Sequence, residues 1–425
     1  MLVFEEAYEI VITQATRVGS ERIPLHNALN RVLAEDILSD LDMPPFDKSA
    51  VDGFAYRRTE ASPAGLMSQD SIDKPGGPST DCSTGRTTSD CSYRILETVP
   101  AGTVPVKTVG VGECSRIMTG AMVPPGADAV MMVEDTVMMV EDTELLPQEH
   151  VRFIKERSAN NICYRGEDIK KDDQVLAAGE QIGPAHMATL AAVGATEPLV
   201  SLLPRVAVIS TGDELVEPDR KPLGAQIRNS NAIQLMAQLM QVPASPYYMG
   251  IASDTGDSIR TVIDNALKEN DMVLLTGGVS MGDFDFVPDV MQEAGVEILF
   301  KSVAIQPGRP TVFGRKGDKL LFGLPGNPVS SFVLFEMMVK PALLKMMGHT
   351  GLPRLLSLPM GQDFTRRRSE RKSLIPVRID NGEIRLVDYH GSAHINAYTA
   401  AQAILLLDIG VTEIKTGEKA SVRLL

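Results

Sequence analysis

Between residues 204 and 347, segments of strand length alternate with segments of helix length, and short turns join them. This alternation is typical of a doubly wound sheet, in which helices cover both faces of largely parallel strands. In chain order we predict a strand near 206–210, a helix near 230–241, a strand near 246–250, a helix near 257–269 and a strand at 272–275. Such a sheet brings the carboxyl ends of its strands to one edge, where ligands bind.

The predicted helix near 230–241 carries both a capping signal and a packing signal. Asn229 or Ser230 can accept a hydrogen bond from the first turn and so cap the helix. The apolar stripe predicted to face the core consists of Ile233, Met236, Ala237 and Met240. We expect the methionines to fill the core rather than to form a binding surface.

The strand at 272–275 ends in a glycine turn that is followed by carboxylates. Gly277 and Gly278 leave no Cβ in the way, so that backbone N–H groups can converge on an oxyanion. Thr276 and Ser280 add hydroxyl groups, and Asp283 and Asp285 follow them. Because carboxylates repel phosphate unless a cation intervenes, the pattern predicts a magnesium-assisted phosphate or nucleotide site. The alternative is an ordinary turn from a strand into a helix.

Three further turns in this region also follow apolar segments. Gln306–Pro310 and Leu324–Pro328 each contain Pro-Gly, and Pro328 suits a first helical turn because its missing N–H is not needed there. An earlier strand ends at Gly212, with Asp213 and Glu214 just beyond it. We expect these turns to build one pocket.

These segments, in this order, resemble the molybdopterin molybdenumtransferase family, known as MoeA in bacteria and as the gephyrin E domain in animals. Further stretches that resemble the family's signatures are Pro44–Ala55, Arg116–Ala121, Pro125–Asp135 and Arg165–Asp168. The resemblance extends over most of the chain, except for the segment near 58–92.

Together, the pattern and the resemblance imply a multidomain α/β protein. Its centre would be a doubly wound, MogA-like domain at 204–347, flanked by β-rich domains. The predicted flanking domains are a discontinuous mixed α/β domain at 1–43 and 148–203, a β-rich inserted domain at 44–147, and a small β-barrel-like domain at 348–425. The C-terminal strands are predicted at Ser373–Ile379, Glu383–Val387, Ala403–Leu407 and Ala420–Leu424.

The resemblance also implies an activity. The enzyme would insert molybdate into the dithiolene of adenylylated molybdopterin and release AMP, with Mg²⁺ as its cofactor. It would be a homodimer whose active sites are shared between subunits, and it could meet the molybdopterin adenylyltransferase and the acceptor molybdoenzymes. Two alternatives stay open: a non-catalytic scaffold of the gephyrin type, and the adenylyltransferase itself, which shares the doubly wound domain but normally lacks the flanking domains.

The site residues that the resemblance implies fall into three groups. The candidate catalytic residues are Asp52, Thr119, Asp168 and Asp271. The candidate substrate-binding residues are Thr276, Gly277, Gly278, Ser280, Arg309, Pro325, Pro328, Ser330, Arg371 and Ser392. The candidate metal ligands are Glu214 and Asp285. Molybdate would lie against Arg309, Arg371, Ser330 and Ser392, and the two prolines would fix the shapes of their turns.

Charge and composition exclude several classes of function. The formal net charge of −14 argues against nonspecific nucleic-acid binding. The four cysteines lack a C-x-x-C spacing and the six histidines lack a zinc motif, so a structural zinc or disulfide framework is not expected. No apolar run approaches the length of a membrane span, and the acidic N-terminus is unlike a signal peptide. We therefore expect a soluble, cytoplasmic protein without membrane or nucleic-acid partners.

An anionic ligand would need a local cationic patch in this acidic chain. Candidates are Lys301, Arg309 and the run Arg366–Lys372. The charge pattern of the run favours a solvated hairpin face. The resemblance assigns a function only to Arg371 within it.

The sequence departs from the family pattern at several places. Residues 60–92 are rich in Ser, Thr, Asp, Gly and Pro and predict a mobile loop. The heptad Val-Met-Met-Val-Glu-Asp-Thr occurs twice in tandem, at 130–136 and 137–143, and only one copy can occupy the family's strand. Gln306 stands where many relatives have lysine, and Cys163–Tyr164 where many have arginines.

Overall fold

The structure is a computed structural model that describes residues 1–58, 92–141, 148–154, 159–278, 287–351 and 355–425. The predicted loop at 60–92 lies almost wholly outside these residues. The chain separates into two compact units: residues Met1–Ile37 with Leu176–Leu425 form unit 1, and residues Leu38–Val175 form unit 2. The four-domain division is finer than this and stays a prediction.

Within the described residues, the α-helices are α1 (Phe4–Gln14), α2 (Pro184–Ala192), α3 (Ser230–Met240), α4 (Gly256–Glu269), α5 (Val287–Glu293), α6 (Pro328–Leu334) and α7 (Lys340–Met346). A π-helical segment, Phe335–Val339, joins α6 to α7. Short 3-10 helices lie at Leu25–Asn27, Val133–Asp135 and Ile395–Thr399.

The strands are numbered in chain order. The first fourteen are β1 (Ser20–Arg22), β2 (Ile37–Leu38), β3 (Lys48–Ser49), β4 (Gly53–Tyr56), β5 (Ser92–Val99), β6 (Glu113–Ile117), β7 (Ala129–Met132), β8 (Thr136–Glu141), β9 (Gln148–Phe153), β10 (Ile162–Cys163), β11 (Gln174–Leu176), β12 (Leu199–Ser201), β13 (Arg205–Thr211) and β14 (Leu215–Val216). The rest are β15 (Ile227–Arg228), β16 (Ser245–Ala252), β17 (Met272–Thr276), β18 (Glu297–Phe300), β19 (Ile305–Gln306), β20 (Val312–Lys316), β21 (Lys319–Leu324), β22 (Leu355–Pro359), β23 (Phe364–Thr365), β24 (Lys372–Asp380), β25 (Glu383–Leu386), β26 (Ala403–Leu407), β27 (Glu413–Ile414) and β28 (Lys419–Leu424).

The central sheet of unit 1 has six strands in the order β16-β13-β17-β21-β20-β18. The first four are mutually parallel, and β20 and β18 extend the sheet in antiparallel pairing. Every residue of β17 is buried, as expected for a strand covered on both faces. Helices α1, α3, α6 and α7 pack on one face of the sheet, and α4 and α5 pack on the other. The predicted doubly wound sheet is confirmed.

The helix predicted near 230–241 is α3, and Asn229 caps it by accepting a hydrogen bond from Ala232 N–H. The predicted apolar stripe is wrong, because Ile233 is 55% exposed and Met240 is 71% exposed. The buried residues of α3 are Asn231, Ala232, Leu235, Gln238 and Leu239. Two polar residues occupy this inner face because their side chains find buried hydrogen-bond partners, and hydrophobic periodicity alone cannot detect such positions.

The C-terminal part of unit 1 forms a second six-stranded sheet in the order β19-β24-β26-β28-β22, with β25 paired to β24. A bridge between Met360, just after β22, and Ile384 of β25 brings the sheet round on itself. Its interior holds a separate apolar cluster that includes Val377, Leu405 and Val422. The predicted C-terminal strands are confirmed within one or two residues. Because β19 belongs to this sheet, the Pro-Gly turn after it lies beside the C-terminal strands.

Unit 2 contains a six-stranded sheet in the order β7-β4-β6-β5-β9-β8. Phe54, Tyr56 and Phe153 pack in one of its two apolar clusters. The first copy of the heptad forms most of β7, which pairs with β4, whereas the second copy forms most of β8, which pairs with β9. The first copy therefore takes the strand beside β4, and the two copies lie at opposite edges of one sheet.

None of the helices in the described part of the chain is both long enough and apolar enough to cross a membrane.

Candidate functional site

A cavity of about 510 Å³, here cavity A, opens at the carboxyl end of the central sheet of unit 1. It is lined by Thr211, Glu214, Leu215, Ile227, Arg228, Asn229, Ser230, Asn231, Asp254, Thr276, Gly277, Gly278, Pro310, Pro325, Gly326, Asn327 and Pro328. Cavity A therefore unites the turns after β13, β16, β17 and β21, at the edge where a doubly wound sheet binds ligands. The prediction that several turns build one pocket is confirmed for the turns after β13, β17 and β21, whereas the Gln306–Pro310 turn reaches cavity A only through Pro310.

The glycine turn after β17 has a backbone that only glycine tolerates. Gly277 and Gly278 have φ angles of +100° and +62°. A Cβ at Gly277 would lie 2.4 Å from the carbonyl oxygen of Thr211, and a Cβ at Gly278 would lie 2.9 Å from Val287. A side chain at Gly277 would therefore force β13 and β17 apart, and one at Gly278 would press against the first residue of α5. The turn gives a ligand close access to the backbone.

Thr276 lies in this turn, but its hydroxyl group points into the protein. Thr276 is 2% exposed. Its Oγ1 donates to the carbonyl oxygen of Pro325 at 3.3 Å and accepts from Asn231 Nδ2 at 2.9 Å. The hydroxyl therefore ties the glycine turn to the Pro-Gly turn, instead of being the free donor that the sequence suggested.

Two carboxylates line cavity A, one from each of two neighbouring strands. Glu214 follows β13 and Asp254 follows β16. The backbone N–H of Asp254 donates to Asp213 Oδ1 at 3.2 Å, which joins the two loops. A Cβ at Gly212 would lie 2.5 Å from Glu214 Oε2, so the glycine leaves space for that carboxylate to fold back. The predicted metal ligand Glu214 is at the cavity, and the sequence interpretation missed Asp254.

Asp271 lies at the other end of β17. It precedes the first residue of that strand, and its Oδ2 accepts from the backbone N–H of Arg205 at 2.7 Å. The five residue steps from Asp271 to Thr276 span about 16 Å in an extended strand. The structure therefore does not bring Asp271 to cavity A. The catalytic role that the resemblance implies for Asp271 would therefore not be exercised in this cavity, because ligands bind at the carboxyl side of parallel strands.

A second cavity of about 740 Å³, here cavity B, lies between the Pro-Gly turns and the C-terminal sheet. The residues that line it are Gln306, Pro307, Gly308, Arg309, Pro310, Pro325, Asn327, Ser330, Phe364, Arg366, Arg367, Arg368, Arg371, Ser373, Leu374, Ile375, Leu386, Val387, Tyr389, Gly391 and Ser392. All four residues predicted to contact molybdate, Arg309, Arg371, Ser330 and Ser392, are among them. Cavities A and B adjoin, since Pro310, Pro325 and Asn327 line both.

The arginines of cavity B differ in their hydrogen-bond partners. Arg366 donates to the carbonyl oxygens of Val411 and Arg371 at 2.5 and 2.9 Å, so it holds the loops of the C-terminal domain together. No partner for the guanidinium groups of Arg367, Arg368 and Arg371 appears within the described ranges. The expectation of a purely solvated hairpin face is wrong for this run, because four of its arginines line a cavity and one of them is a structural link.

Tyr389 lies in the wall of cavity B and was not anticipated. Burial raises its pKa to about 12, so it stays neutral at ordinary pH and keeps its hydroxyl proton. Gln306 lines the cavity as well. Lys301 does not line either cavity, and its Nζ lies 4.0 Å from Asp289 Oδ1.

In unit 2, the structure brings Asp52 and Thr119 together. Asp52 Oδ1 accepts from both the backbone N–H and the hydroxyl of Thr119, at 2.6 and 2.8 Å. Asp168 is exposed, and its backbone N–H donates to the carbonyl oxygen of Met43. Within the described part of unit 2, no hydrogen bond or ion pair joins Asp168 to the other two.

The predicted residues Ser280 and Asp285 lie outside the described residues, as does Asp283. Among the residues that the structure describes, no group of three or more His, Cys, Asp or Glu side chains is arranged to hold a metal ion.

The polar cavity A residues that were not predicted as site residues from the sequence include Asp254, Asn231 and Arg228. Asp254 could have been found, because it lies four residues beyond a predicted strand. Arg228 and Asn231 flank the predicted cap of α3, and a helix N-terminus beside a strand edge is itself a signal for a ligand site. Asn231 was hidden because it is a polar residue on the buried face of its helix.

Comparisons with known proteins agree with this architecture. Residues 2–194 match a family described as MoeA N-terminal region (domain I and II), and residues 207–345 match one described as probable molybdopterin binding domain. A molybdopterin molybdenumtransferase of Staphylococcus aureus is 36% identical over 364 residues, covering 85% of this chain and 80% of that protein. One of Staphylococcus epidermidis is 32% identical over 424 residues, covering 98% of this chain and 94% of that protein.

Among solved structures, the crystal structure of a molybdopterin biosynthesis MoeA protein from Pyrococcus horikoshii OT3 matches with a TM-score of 0.78 and 28% identity, covering 100% of both chains. The sequence match to the curated relatives extends over most of the chain, and the structural match extends over all of it. This chain belongs to the molybdopterin molybdenumtransferase family, transferases of molybdenum cofactor biosynthesis.

Proposed function

We propose that this enzyme inserts molybdate into adenylylated molybdopterin and releases AMP, in a reaction that depends on Mg²⁺. The observation that supports the proposal best is the adjacency of cavities A and B. One has a glycine turn and carboxylates, the other has arginines and serines, and both share Pro310, Pro325 and Asn327. A pterin nucleotide in cavity A would therefore lie next to an oxyanion in cavity B.

Cavity A suits the pyrophosphate of the nucleotide. Backbone N–H groups at Gly277 and Gly278 can approach its oxygens closely, because no side chain intervenes. Glu214 and Asp254 supply oxygen donors, which are the ligands that Mg²⁺ prefers, and Asp285 would complete the set by family resemblance. When bound there, the ion would offset the charge of the pyrophosphate. The donor set fits this cofactor.

Cavity B suits molybdate, a tetrahedral dianion. Arg309 and Arg371 line the cavity and can donate charge-assisted hydrogen bonds to its oxygens. Ser330 and Ser392 line the same cavity and offer neutral donors. The local positive charge would collect an anion despite the formal net charge of −14.

The Asp52 and Thr119 pair of unit 2 would serve the active site of the other subunit. We propose a homodimer in which each site combines this pair from one chain with cavities A and B of its partner. In a two-fold dimer both sites are then equivalent. The enzyme would act in the cytoplasm, between the adenylyltransferase that supplies its substrate and the molybdoenzymes that accept its product.

The direct test is to incubate the purified protein with adenylylated molybdopterin, molybdate and Mg²⁺ and to measure AMP. We expect AMP release that requires all three. Glu214→Gln should reduce activation by Mg²⁺ at least about tenfold. Asp219→Asn should leave it unchanged, because Asp219 is an exposed acidic residue on the other side of β14 that does not line either cavity. A wild-type protein that binds the substrate yet releases no AMP would overturn the proposed function.

A further inference from the structure

Asn231 is a buried polar residue in the wall of cavity A. One polar atom of its side chain has no hydrogen-bond partner within the described residues. Asn231 is 9% exposed and lies in the first turn of α3. Its Nδ2 donates to Thr276 Oγ1 at 2.9 Å and to the carbonyl oxygen of Gly326 at 2.8 Å. Both partners belong to turns of the cavity, so the amide is locked between them.

The orientation of this amide is fixed by its partners. The carbonyl oxygen of Gly326 can only accept, so it requires the NH₂ group of Asn231 and would repel Oδ1. Thr276 Oγ1 uses its own hydrogen toward Pro325 and therefore also accepts from Asn231. The amide cannot be reversed without loss of these bonds.

Both amide hydrogens are thus directed into the protein, and Oδ1 is the remaining polar atom. The described residues provide no donor to it. This oxygen is not sealed from solvent, so a ligand in the cavity can reach it. Since Asn231 lines cavity A, a ligand in that cavity can supply the donor. Asn231 Oδ1 is thus a neutral acceptor in the same cavity as the glycine turn, whose backbone N–H groups are donors.

We propose that Asn231 Oδ1 is a specificity-determining acceptor for an exocyclic amino group on a planar nitrogen heterocycle of the substrate. The inference rests on the proposed function and extends it, because it assigns recognition of the heterocycle to a residue outside the phosphate and metal sites. Asn231 suits this role because it is neutral and rigid. A carboxylate in its place would be repelled by the phosphates, and a mobile side chain would accept less selectively.

An adenylylated pterin carries this donor chemistry twice, on the amino-pyrimidinone edge of the pterin and on the amino group of the adenine. For each ring, there is an analogue that carries a carbonyl oxygen in place of the amino group. That oxygen is an acceptor and would face the acceptor Oδ1 of Asn231. Two facing acceptors would cost about tenfold or more in affinity. Sites that hydrogen-bond a substrate group discriminate strongly against analogues that lack it.

The test measures dissociation constants by calorimetry for two matched pairs of probes, AMP with IMP and pterin with lumazine, on the complete protein. We expect wild type to prefer the amino member of one pair at least about tenfold. The pair that shows the preference identifies the ring. Asn231→Ala, or Asn231→Ser if the first variant folds poorly, should reduce that preference at least about fivefold.

The control is Gln238→Met, on the same buried face of α3. Gln238 bonds Phe332 and Glu336 and does not line either cavity, so this variant loosens the helix without altering the acceptor. It should keep the wild-type preference. Equal affinity of wild type for both members of each pair, failure of all four probes to bind, or a preference that survives loss of Asn231 would overturn the inference. Because these measurements need no turnover, a wild type that releases AMP without showing the preference overturns this inference alone.

Discussion

Thr119 donates two hydrogen bonds to one oxygen of Asp52, from its backbone N–H at 2.6 Å and from its hydroxyl at 2.8 Å. The backbone bond has the larger effect, and together the two bonds hold the pKa of Asp52 below its ordinary value. They do so because they stabilise the charged carboxylate. Asp52 therefore stays ionised even in mildly acidic solution, although it is exposed to solvent.

Thr119→Val should raise the pKa of Asp52 toward its ordinary value, because it removes the hydroxyl bond and leaves the backbone bond in place. A lowered folded-state pKa contributes stability that is present above the unfolded value of about 3.9 and is lost as pH falls through the folded value. The stability difference between wild type and variant should therefore shrink as the pH falls below about 4. Carboxyl NMR titration together with acid unfolding checks both expectations. An unchanged pKa of Asp52 would contradict the assignment of its cause.

Arg371→Gln should weaken molybdate binding by about 10- to 100-fold, because a hydrogen bond to a charged group contributes roughly 1.5–3 kcal/mol. Arg378→Gln is the matched control: it lies in β24, which begins directly after Arg371, but it pairs with Asp380 at 2.8 Å on the exposed surface. Isothermal titration with molybdate compares the two variants. Equal affinities would remove Arg371 from the oxyanion site.

Arg366→Gln should act on stability instead. Its guanidinium bridges backbone carbonyls of neighbouring loops, and loss of that bridge leaves part-buried acceptors without donors. We expect a lower melting temperature at every molybdate concentration, with a smaller loss of molybdate affinity than Arg371→Gln causes. Thermal unfolding with and without molybdate distinguishes the structural arginine from the binding arginine.

Deleting one copy of the repeated heptad should leave β7 intact. Removing 137–143 gives the same chain as removing 130–136, and the remaining copy can take the strand that pairs with β4. Amide exchange should stay slow at Gly53–Tyr56, and β9 should become the sheet edge. Replacing 137–143 by seven Gly and Ser residues controls for chain length. Loss of protection in β4 in the deleted chain alone would show that the spacing, rather than the sequence, of the second copy is needed.

The sequence predicted the fold well wherever local rules decide it. The doubly wound sheet followed from alternating strand and helix segments, and the converging turns followed from Pro-Gly and Gly-Gly positions. The inner face of α3 could not be predicted in this way. Asn231 and Gln238 are buried because partners distant in sequence satisfy them, such as Gly326 and Glu336, and only the folded chain brings those partners within reach.

The candidate site was predicted in part, for similar reasons. Motifs located Glu214 and the arginine turn, but Asp254 was missed, and Asp271, to which the resemblance gave a catalytic role, does not line cavity A. Neither position can be judged without knowing which end of a parallel strand it occupies. The structure resolves them directly, because Asp254 lines cavity A whereas Asp271 bonds Arg205 at the opposite edge.

A subunit-mixing experiment tests the proposed shared active site. Asp52→Ala removes the carboxylate of unit 2, and Glu214→Ala removes one from cavity A of unit 1, so each variant should be inactive as a homodimer. In a mixed dimer with shared sites, one site carries both defects and the other carries neither. Activity should therefore return to at most about half of the wild-type value per mixed dimer. The control is a mixture of Asp52→Ala with Asp52→Asn, which leaves no intact site in any arrangement. If mass spectrometry confirms exchange and the first mixture stays inactive, each site must be built within one chain.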